Sequence, residues 1–574
     1  MDTKTIIQST LSNKVNHVIF LCITVLLSNL FLVLTPYFIG KLINELTLVN
    51  ININNVIFYS VLAGIFLVLR LLCEYVELKQ VYRLGDFITS ALQKEAYTTI
   101  MKADVSQLQK VSPKFLTDSI TRDCIIIGKE YVSKNVIKFI NHLCYLIIAF
   151  IMMLAVSPVL GMIVLAGVPV YYFGVSGMRK LFKNNQTGVD YLKFEETKII
   201  EENFNLLKEI KIKNGVEKEI KDYKNWLEQN DRKFKHNYVL KNLNSELIRT
   251  IIVSVVLIAA ISVGVSFLIN GINNTTIGDL ITCAILIPLI YQAVLKLMDT
   301  KVSSSTISSE IDNLNQIFKL RSEQRSEPIN QLDELSSIKF TNVCYEDSEG
   351  FVRDLSFDVK NNEKLGILCL ENTSTDLIQE LFIKMKKARS GTITFNNCEF
   401  SKINTYYLRD LVASVGSGTR LFDDTIISNI TYPLPIDEYK YNDSLYKARL
   451  KDIIFDLENK DQTLVTELSE EVHEQISIAN AFYKDAKVFV FNSATKKMNS
   501  KLADEIQKEI IKLKNKFIII ISDKGHDVVS CDKVVILRNG EVVESGNVNE
   551  LMKNKDSVLY SSVRRIRVRS KIVS

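Results

Sequence analysis

A chain of 574 residues is long enough for more than one domain. Its formal net charge of +5 is small for this length and argues against nucleic-acid binding. Nine scattered cysteines, with no CxxC pair and no His/Cys cluster, argue against a disulfide framework or a zinc site. The 47% hydrophobic content is unevenly spread, because long apolar runs end near residue 297 and a sequence of soluble character begins near residue 338. The Lys-, Asn- and Ile-rich composition is typical of an AT-rich bacterial genome.

Six apolar segments in the first half are long enough to cross a membrane, which takes roughly 20 mainly apolar residues. They are residues 17–40, 56–76, 136–156, 159–177, 251–270 and 277–297. The first segment is too long for a signal peptide and is followed by further spans. The sequence therefore predicts an all-α membrane domain of six helices over residues 1–320, located in a bacterial cell membrane.

The connections between these spans differ in length. Only a few residues join spans three and four, or spans five and six, whereas roughly 60 residues separate spans two and three and roughly 75 separate spans four and five. The long connections carry amphipathic helical patterns and many basic residues, so the positive-inside rule places them and both termini in the cytoplasm. Arg70 and Glu74, at i,i+4 spacing in span two, either pair in a cavity or extend to the cytoplasmic interface, and we favour the second interpretation.

The second half has a different pattern. Residues 321–336 are polar and predict a linker, and residues 337–556 alternate β-rich runs with helical patterns. This alternation predicts an α/β domain with a small β-subdomain at its start. The predicted strands are residues 338–341, 352–359, 364–370, 391–395, 412–415, 487–491, 517–521 and 534–538. Residues 557–574 form a basic tail, for which we favour a solvated segment over a contact with anionic lipid or an acidic partner.

Three segments of this domain resemble ABC transporter motifs. Residues 468–481 align without a gap on the signature helix, whose family pattern begins Leu-Ser-Gly-Gly-Gln. Residues 487–495 stand at the spacing of the Walker B strand and its Asp-Glu-Ala-Thr, and residues 534–546 match the closing strands. With its six spans, the chain resembles an ABC exporter half-transporter, in which a transmembrane domain is fused to a P-loop-type nucleotide-binding domain.

The resemblance implies a P-loop after residues 364–370, yet the residues there depart from the pattern. A P-loop uses glycines to wrap phosphates, a lysine to neutralise them and a Ser/Thr to bind Mg²⁺. These positions hold Cys369, Asn372 and Ser374 for the glycines, Thr375 for the lysine and Asp376 for the Mg²⁺ ligand. Glu371 and Asp376 add negative charge where a polyphosphate would lie, so we expect the pocket to repel it.

The other nucleotide-site positions of the family also depart from its pattern. They are Asn492 for the Walker B aspartate, Ser493 for the catalytic glutamate, Asn499 for the D-loop aspartate, Ser417 for the Q-loop glutamine and Asp523 for the switch histidine. The adenine-stacking aromatic residue falls near Asp347, with Tyr345 close enough to take its place.

The signature motif departs in a way that concerns a partner. In ABC dimers each ATP lies between the P-loop of one subunit and the signature of the other, whose glycines receive the γ-phosphate. This chain has Ser469, Glu470, Glu471 and Val472 there. We expect Ser469 to cap the helix and the two acids to satisfy its dipole, which disfavours phosphate at both sites of a dimer.

These departures predict a subunit that is not an enzyme, with no catalytic residue, no metal, and ATP and Mg²⁺ binding absent or very weak. The favoured hypothesis is an inactive exporter subunit that pairs with a second ABC half-transporter, which supplies any ATP hydrolysis; a peptide or bacteriocin-like cargo is a guess. The alternatives are a membrane scaffold, receptor or immunity protein, and an ATPase with unconventional residues. Membrane lipid is an expected partner, nucleic acid is not, and homodimer or heterodimer is left open.

Overall fold

A computed structural model of the chain describes residues 2–48, 51–271, 275–305, 307–323, 329, 331–332, 334–347, 350–416 and 418–564. The chain divides into two compact units. The helical unit comprises Met1–Met101 and Ser112–Leu320. The sheet unit comprises Lys102–Val111 and Arg321–Ser574.

The helical unit consists of long α-helices, with π-helical turns at Ser119–Asp123 and Ile126–Val136. The first eleven α-helices, of which α4 lies in the sheet unit, are α1 (Thr3–Asn13), α2 (Val15–Leu46), α3 (Ile53–Met101), α4 (Val105–Leu108), α5 (Pro113–Asp118), α6 (Ile137–Val156), α7 (Pro158–Asn205), α8 (Leu207–Ile212), α9 (Val216–Ile269), α10 (Ile277–Ser305) and α11 (Ser308–Phe318).

Six helical segments among the described residues are long and apolar enough to cross a membrane. They are Val15–Leu46, Ile53–Met101, Pro113–Val156, Pro158–Gly177, Arg249–Ile269 and Ile277–Asp299. Each contains or largely overlaps one predicted span, so the predicted six-helix membrane domain is confirmed. The longest helix, α9, has 54 residues, which at 1.5 Å per residue is about 80 Å. Because a bilayer core is only about 30 Å thick, such a helix extends well beyond it.

Helices α2 and α10 approach each other closely at two glycines. A Cβ atom on Gly278 would lie 1.9 Å from the Gly40 carbonyl oxygen, so no larger residue fits there. One helical turn further along α2, the Asn44 side chain accepts a hydrogen bond from the Gly278 N–H at 2.6 Å and donates one to Thr276 Oγ1 at 2.8 Å. These hydrogen bonds satisfy polar groups at the start of α10 and fix its position against the end of α2.

The sheet unit is built on ten strands in the order β5-β4-β1-β2-β10-β9-β3-β8-β7-β6. Their bounds are β1 (Ser337–Asp347), β2 (Gly350–Lys360), β3 (Lys364–Leu370), β4 (Ser390–Phe395), β5 (Cys398–Glu399), β6 (Val412–Gly416), β7 (Val488–Asn492), β8 (Phe517–Ser522), β9 (Lys533–Arg538) and β10 (Glu541–Asn547). Strands β9, β3, β8, β7 and β6 pair in parallel, whereas β1, β2, β4 and β5 pair antiparallel. The predicted α/β domain with a β-subdomain at its start is thus confirmed.

Helices cover the parallel strands, as expected for strands buried on both faces. They are α12 (Thr375–Phe382), α13 (Thr405–Leu411), α14 (Ile426–Thr431), α15 (Glu438–Lys447), α16 (Lys451–Asp456), α17 (Glu470–Lys484), α18 (Ser500–Ile511), α19 (Gly525–Val528) and α20 (Val548–Leu551). One apolar cluster gathers α14, α15 and α17 against β6 and β7, and a second gathers the β-subdomain and α12 against β3. The two clusters leave the strand ends and the loops that follow them at the edge of the core.

An aromatic stack joins the β-subdomain to α12. The Phe340 ring lies 4.4 Å from that of Phe357 and 4.8 Å from that of Phe382, measured between centroids. Phe382 is fully buried. We predict that Phe382→Ala destabilises the sheet unit by about 3–5 kcal/mol, because it leaves a ring-sized cavity. Hydrogen exchange of β1 and β3 in the intact protein measures this loss. Phe455→Ala, at an exposed ring, is the control, and equal protection in both variants would contradict the prediction.

Candidate functional site

The loop between β3 and α12 lies where the sequence predicts the P-loop. Glu371 and Asn372 adopt positive φ angles of 34° and 53°. An asparagine tolerates this left-handed region better than most residues, so Asn372 can stand where the family has glycine. Side chains tie the loop to the β9–β10 turn, because Asn372 Nδ2 donates to Asn539 Oδ1 at 3.1 Å and the Gly540 N–H donates to Thr373 Oγ1 at 2.9 Å.

The residues at the next three predicted positions open α12. Ser374 is the N-cap, and its hydroxyl accepts a hydrogen bond from the Leu377 N–H at 3.3 Å. Thr375 is the first helical residue and Asp376 supplies negative charge to the first turn, where the helix dipole favours it. Cys369, near the end of β3, is buried, and this burial raises the pKa of its thiol to about 12. The Cys369 thiol is therefore not a nucleophile at neutral pH.

Asp376 and Asn492 are brought together, as the sequence positions imply. Asn492 Nδ2 donates to Asp376 Oδ1 at 2.6 Å and to Gln379 Oε1 at 2.8 Å. Gln379 Nε2 in turn donates to Ser414 Oγ at 2.7 Å. This network, the Asp376–Ser414 chain, joins α12 to β7 and β6. Gln379 and Ser414 were missed by the sequence analysis, although Gln379 stands one helical turn after Asp376.

The side chains of the Asp376–Asn492 pair differ in type from those that the family resemblance implies. The resemblance implies a hydroxyl on α12 and a carboxylate on β7, whereas this chain has a carboxylate on α12 and an amide on β7. A hydrogen bond between the same two elements is kept. The site therefore still contains a carboxylate, which stands on α12 instead of β7.

Asn492 also carries an atom without a hydrogen bond. Its side chain is fully buried, and Oδ1 has no partner among the described residues. Buried polar atoms are rarely left in this state, so Oδ1 is open to a ligand. An amide oxygen beside a carboxylate is chemically suited to Mg²⁺, which needs only one or two protein ligands when phosphates and water complete its shell. Among the described residues no group of three or more His, Cys, Asp or Glu side chains could hold a metal without such help.

Three other acids of the predicted site have cationic partners. Glu371 Oε1 lies 3.7 Å from Arg538 Nε, Asp523 Oδ2 lies 3.4 Å from Lys496 Nζ, and Glu470 Oε2 lies 3.1 Å from Lys497 Nζ. These pairs are exposed, so each stabilises the fold by at most about 1 kcal/mol. The cations Arg538, Lys496 and Lys497 neutralise the charge of these three acids locally. The prediction of a repulsive pocket did not include these cations.

The first turn of α17 is bound to the segment that follows β7. Glu471 Oε1 accepts from Asn499 Nδ2 at 2.9 Å, and Glu474 Oε2 accepts from the Lys497 N–H at 2.9 Å. Ser469 stands at the N-cap but its side chain makes no capping hydrogen bond, which differs from our expectation. Glu470 and Glu471 instead serve as first-turn acids, and Val472 packs on the apolar cluster.

The remaining predicted positions are placed as follows. Ser493 is buried directly after β7 with a positive φ of 47°, and its N–H donates to the Ile521 carbonyl at 2.8 Å. Asn499 caps α18 by accepting from the Leu502 N–H. Ser417, the predicted Q-loop position, lies outside the described residues. Strand β6, which ends at Gly416, reaches the site through Ser414 of the Asp376–Ser414 chain.

The predicted adenine position is occupied by a charged cluster. Tyr345 donates to Asp347 Oδ2 at 2.9 Å, and the buried Lys386 Nζ lies 2.8 Å from Asp347 Oδ2 and 3.1 Å from Glu380 Oε2. A cavity of about 190 Å³ adjoins Tyr345 and Lys386 and is also lined by Asp104 of the α4 segment. The Tyr345 ring has Lys386 Nζ 5.5 Å from its centroid, so an aromatic surface is present there.

Comparison with known proteins identifies what this architecture is similar to. The ABC transporter transmembrane region matches residues 18–294. An ATP-dependent lipid A-core flippase of Wigglesworthia glossinidia brevipalpis is 23% identical over 83% of this chain and 83% of its own length. The lactococcin-G-processing and transport ATP-binding protein LagD of Lactococcus lactis subsp. lactis is 24% identical over 51% of this chain and 43% of its own.

A solved bacterial Atm1-family ABC exporter with ATP bound matches the structure with a TM-score of 0.74 at 17% identity. The match covers 96% of this chain and 99% of the exporter. The chain is thus an ABC-exporter-like multi-pass membrane protein, with a transmembrane region fused to a domain of the nucleotide-binding fold. Exporters of this kind act as dimers. This agreement confirms the predicted fold.

Two predictions are wrong by this comparison. We expected a protein that is not an enzyme and that binds neither ATP nor Mg²⁺, but the relatives are named as ATP-dependent or ATP-binding transport proteins, and the matching exporter has ATP bound. The physical reason is that the prediction summed the acids without their partners. The structure pairs Glu371, Glu470 and Asp523 with cations and keeps the Asp376 carboxylate beside an open amide oxygen. The role of each individual residue stays a prediction.

We predict that Asn492→Asp destabilises the sheet unit by about 1–3 kcal/mol, because it places a second carboxylate against Asp376 in a buried position. The exchange Asp376→Asn with Asn492→Asp restores an amide–carboxylate hydrogen bond and should recover most of the loss. Thermal unfolding of the intact variants measures both effects. A double variant no more stable than Asn492→Asp alone would contradict the pairing.

Glu474 provides a pH-dependent prediction. Burial raises the pKa of its carboxyl above the ordinary value of 4.5, and one of its oxygens has no hydrogen-bond partner among the described residues. The neutral form is favoured in the fold, so its contribution to stability is complete below pH 4.5 and is lost as the pH rises through the raised pKa. We predict that Glu474→Gln is more stable than the parent at pH 7 and equally stable at pH 4. Thermal unfolding at both pH values checks this, and an equal difference at each pH would contradict it.

Proposed function

We propose that the chain is one half of an ATP-dependent exporter in a bacterial cell membrane and that it pairs with a second ABC half-transporter. The observation that carries the proposal is the agreement of fold with a solved ABC exporter over 96% of the chain. We place both termini and the long helical connections in the cytoplasm, in keeping with the basic residues there. We keep the boundaries 1–320, 321–336, 337–556 and 557–574 for the membrane domain, the linker, the nucleotide-binding domain and the tail.

Two exposed surfaces support pairing with another subunit. Glu371 in the loop before α12 is 63% exposed, and Glu470 at the start of α17 is 75% exposed. In ABC dimers the corresponding regions of two subunits face each other across ATP. Because both regions of this chain lack the family's glycines and lysine, a partner that has them supplies phosphate-binding groups that a second copy lacks. This favours a heterodimer.

The nucleotide site of this chain has a specific chemical character. If Mg²⁺ and ATP bind here, Asp376 and Asn492 would hold the metal, whose charge would neutralise the phosphates in place of the absent lysine. Gln379 orients Asn492 through the hydrogen bond between their amides. Lys496 and Arg538 are the nearest described cations tied to the predicted site, through Asp523 and Glu371.

The cargo is an amphipathic molecule in this proposal. The relatives are named for lipid A-core and for lactococcin G, which indicates that this fold exports both lipids and peptides. We favour a peptide or bacteriocin-like cargo. Membrane lipid is a further partner in this proposal, because it surrounds the six spans.

The test is purification of the chain from its native membrane in a mild detergent, followed by identification of the associated subunit and an ATPase assay. We expect a stoichiometric second half-transporter and Mg²⁺-dependent ATP hydrolysis by the assembly. An assembly without hydrolysis, or a chain that purifies alone, would contradict the proposal.

A second arm tests the metal ligand. Asp376→Ala should lower the Mg²⁺-dependent rate of the assembly at least tenfold, whereas Asp452→Asn, at an exposed position on α16, should leave it unchanged. An unchanged rate in Asp376→Ala would remove the role of Asp376 and leave the pairing intact.

A further inference from the structure

A chain of polar side chains crosses the apolar interior of the helical unit. Asn29 on α2 donates through Nδ2 to Asn141 Oδ1 on α6 at 2.7 Å. Asn141 Nδ2 donates to Glu77 Oε1 on α3 at 2.5 Å. Asn29 and Glu77 are only 4% and 8% exposed. Three different helices thus contribute to one buried network, which we call the polar track.

The polar track occupies a defined depth along the predicted spans. Asn29 lies near the middle of span 17–40, Asn141 lies near the start of span 136–156, and Glu77 directly follows span 56–76. By the orientation proposed above, the track therefore runs from the cytoplasmic interface to mid-membrane. Polar groups at this depth are costly in an apolar surrounding and are rare unless they serve a pathway.

Glu77 is the charged end of the polar track. Among the described residues its only hydrogen-bond partner is the Asn141 amide, and no ion pair is found for it. The second carboxylate oxygen is left for another group. A carboxylate that is buried beside neutral amides is stabilised by a cation, whereas an anion in the same place would be repelled.

The surroundings of Glu77 add charge of the same sign. Arg70, Glu74 and Glu77 follow one another at i, i+4 and i+7 on α3 and so lie on one helical face. Arg70 Nη2 lies 4.0 Å from Glu74 Oε2, so the one cation on this face is shared with an acid. The face carries two carboxylates and one guanidinium, and its local charge is negative when all three are ionised.

A second feature that points to a ligand lies one helical turn from the polar track. Tyr145 stands one helical turn after Asn141 on α6 and is 3% exposed, and its hydroxyl has no hydrogen-bond partner among the described residues. An unpaired hydroxyl inside a buried polar region lacks a partner that a bound polar molecule would supply.

We propose that the polar track, with Glu77 as its charged end and Tyr145 as a further hydrogen-bonding group, binds a cationic group of the exported molecule. An ammonium or guanidinium group of a basic peptide has the required chemistry. The ammonium group takes the free carboxylate oxygen of Glu77, and the amide chain of Asn141 and Asn29 holds that carboxylate in place. This assignment rests on the proposed export function and names its substrate class.

A purely structural role makes a different prediction. If the Glu77–Asn141–Asn29 hydrogen bonds only fix three helices together, a glutamine at position 77 should serve as well as the carboxylate. It has nearly the same shape and can accept from Asn141. A cation site instead requires the charge, so aspartate should preserve more of the function than glutamine.

The test measures binding of a dansyl-labelled 15-residue peptide of leucine and lysine to the purified full chain in phosphatidylcholine nanodiscs, after subtraction of binding to empty discs. We expect Glu77→Gln to weaken binding at least tenfold and Glu77→Asp to weaken it less than threefold. Glu95→Gln, on the same helix, is the matched control and should bind as the parent does. A leucine–glutamate peptide of the same length should bind at least tenfold more weakly than the lysine peptide.

Binding of the lysine peptide by Glu77→Gln as tightly as by the parent would overturn the proposal, and so would equal binding of the two peptides. Thermal unfolding of each variant separates lost binding from lost fold. If Glu77→Gln unfolds early, Tyr145→Phe provides the second arm. Weaker binding by a stably folded Tyr145→Phe would support the proposal, and binding as tight as that of the parent would overturn it. ATP hydrolysis and subunit pairing are measured separately, on the assembly purified from the native membrane. Their loss with intact peptide binding would count against the exporter proposal and not against this site.

Discussion

The hydrogen bond between Asp376 and Asn492 is the contact around which the candidate site of the sheet unit is arranged. It joins the start of α12 to the end of β7, and Gln379 and Ser414 extend it to β6. In ABC proteins the corresponding elements meet at a nucleotide. Here a carboxylate and an amide bring them together directly, so the geometry of the strand ends is held whether or not a ligand is present.

This arrangement explains which substitutions the loop tolerates. Asn372 adopts the left-handed conformation that a glycine would take, and Ser374 caps the helix that a glycine would precede. The residues that replace the family pattern are therefore ones that suit the local backbone. The fold of the loop is kept by residues with a different chemistry, which is why a match of fold and a mismatch of motif occur together.

The sequence predicted the architecture well because the architecture follows from periodicity. Six apolar runs and eight β-rich runs correspond to helices and strands of the structure, and the strand Lys364–Leu370 agrees to the residue. The sequence did not predict β5 as a separate strand. It has only two residues, Cys398 and Glu399, and pairs with β4 across a turn, which is too short for an alternating pattern.

The site was predicted less well, because the net charge of a site depends on ion pairs that form only in the folded protein. Asp523 and Lys496 are 27 positions apart in the chain, and Glu371 and Arg538 are 167 apart, so no local pattern announces either pair. The acids at the motif positions predicted a pocket that repels phosphate. The tertiary fold places a cation beside Asp523 and beside Glu371. Asp376 and Glu471 are hydrogen-bonded to side-chain amides, those of Asn492 and Asn499.

The pairing of acids with cations also differs between the sheet unit and the helical unit. In the sheet unit, water-exposed acids are neutralised by lysines and arginine at little cost, because solvent screens whatever charge is left. In the helical unit, Glu77 is buried against the Asn141 amide, and no ion pair is found for it among the residues that the structure describes. A buried carboxylate in that setting is costly unless a group of opposite charge compensates it, and the cationic cargo proposed above would do so. The two units thus differ in how their acids are compensated, by nearby cations in the sheet unit and, in our proposal, by a bound cationic group in the helical unit.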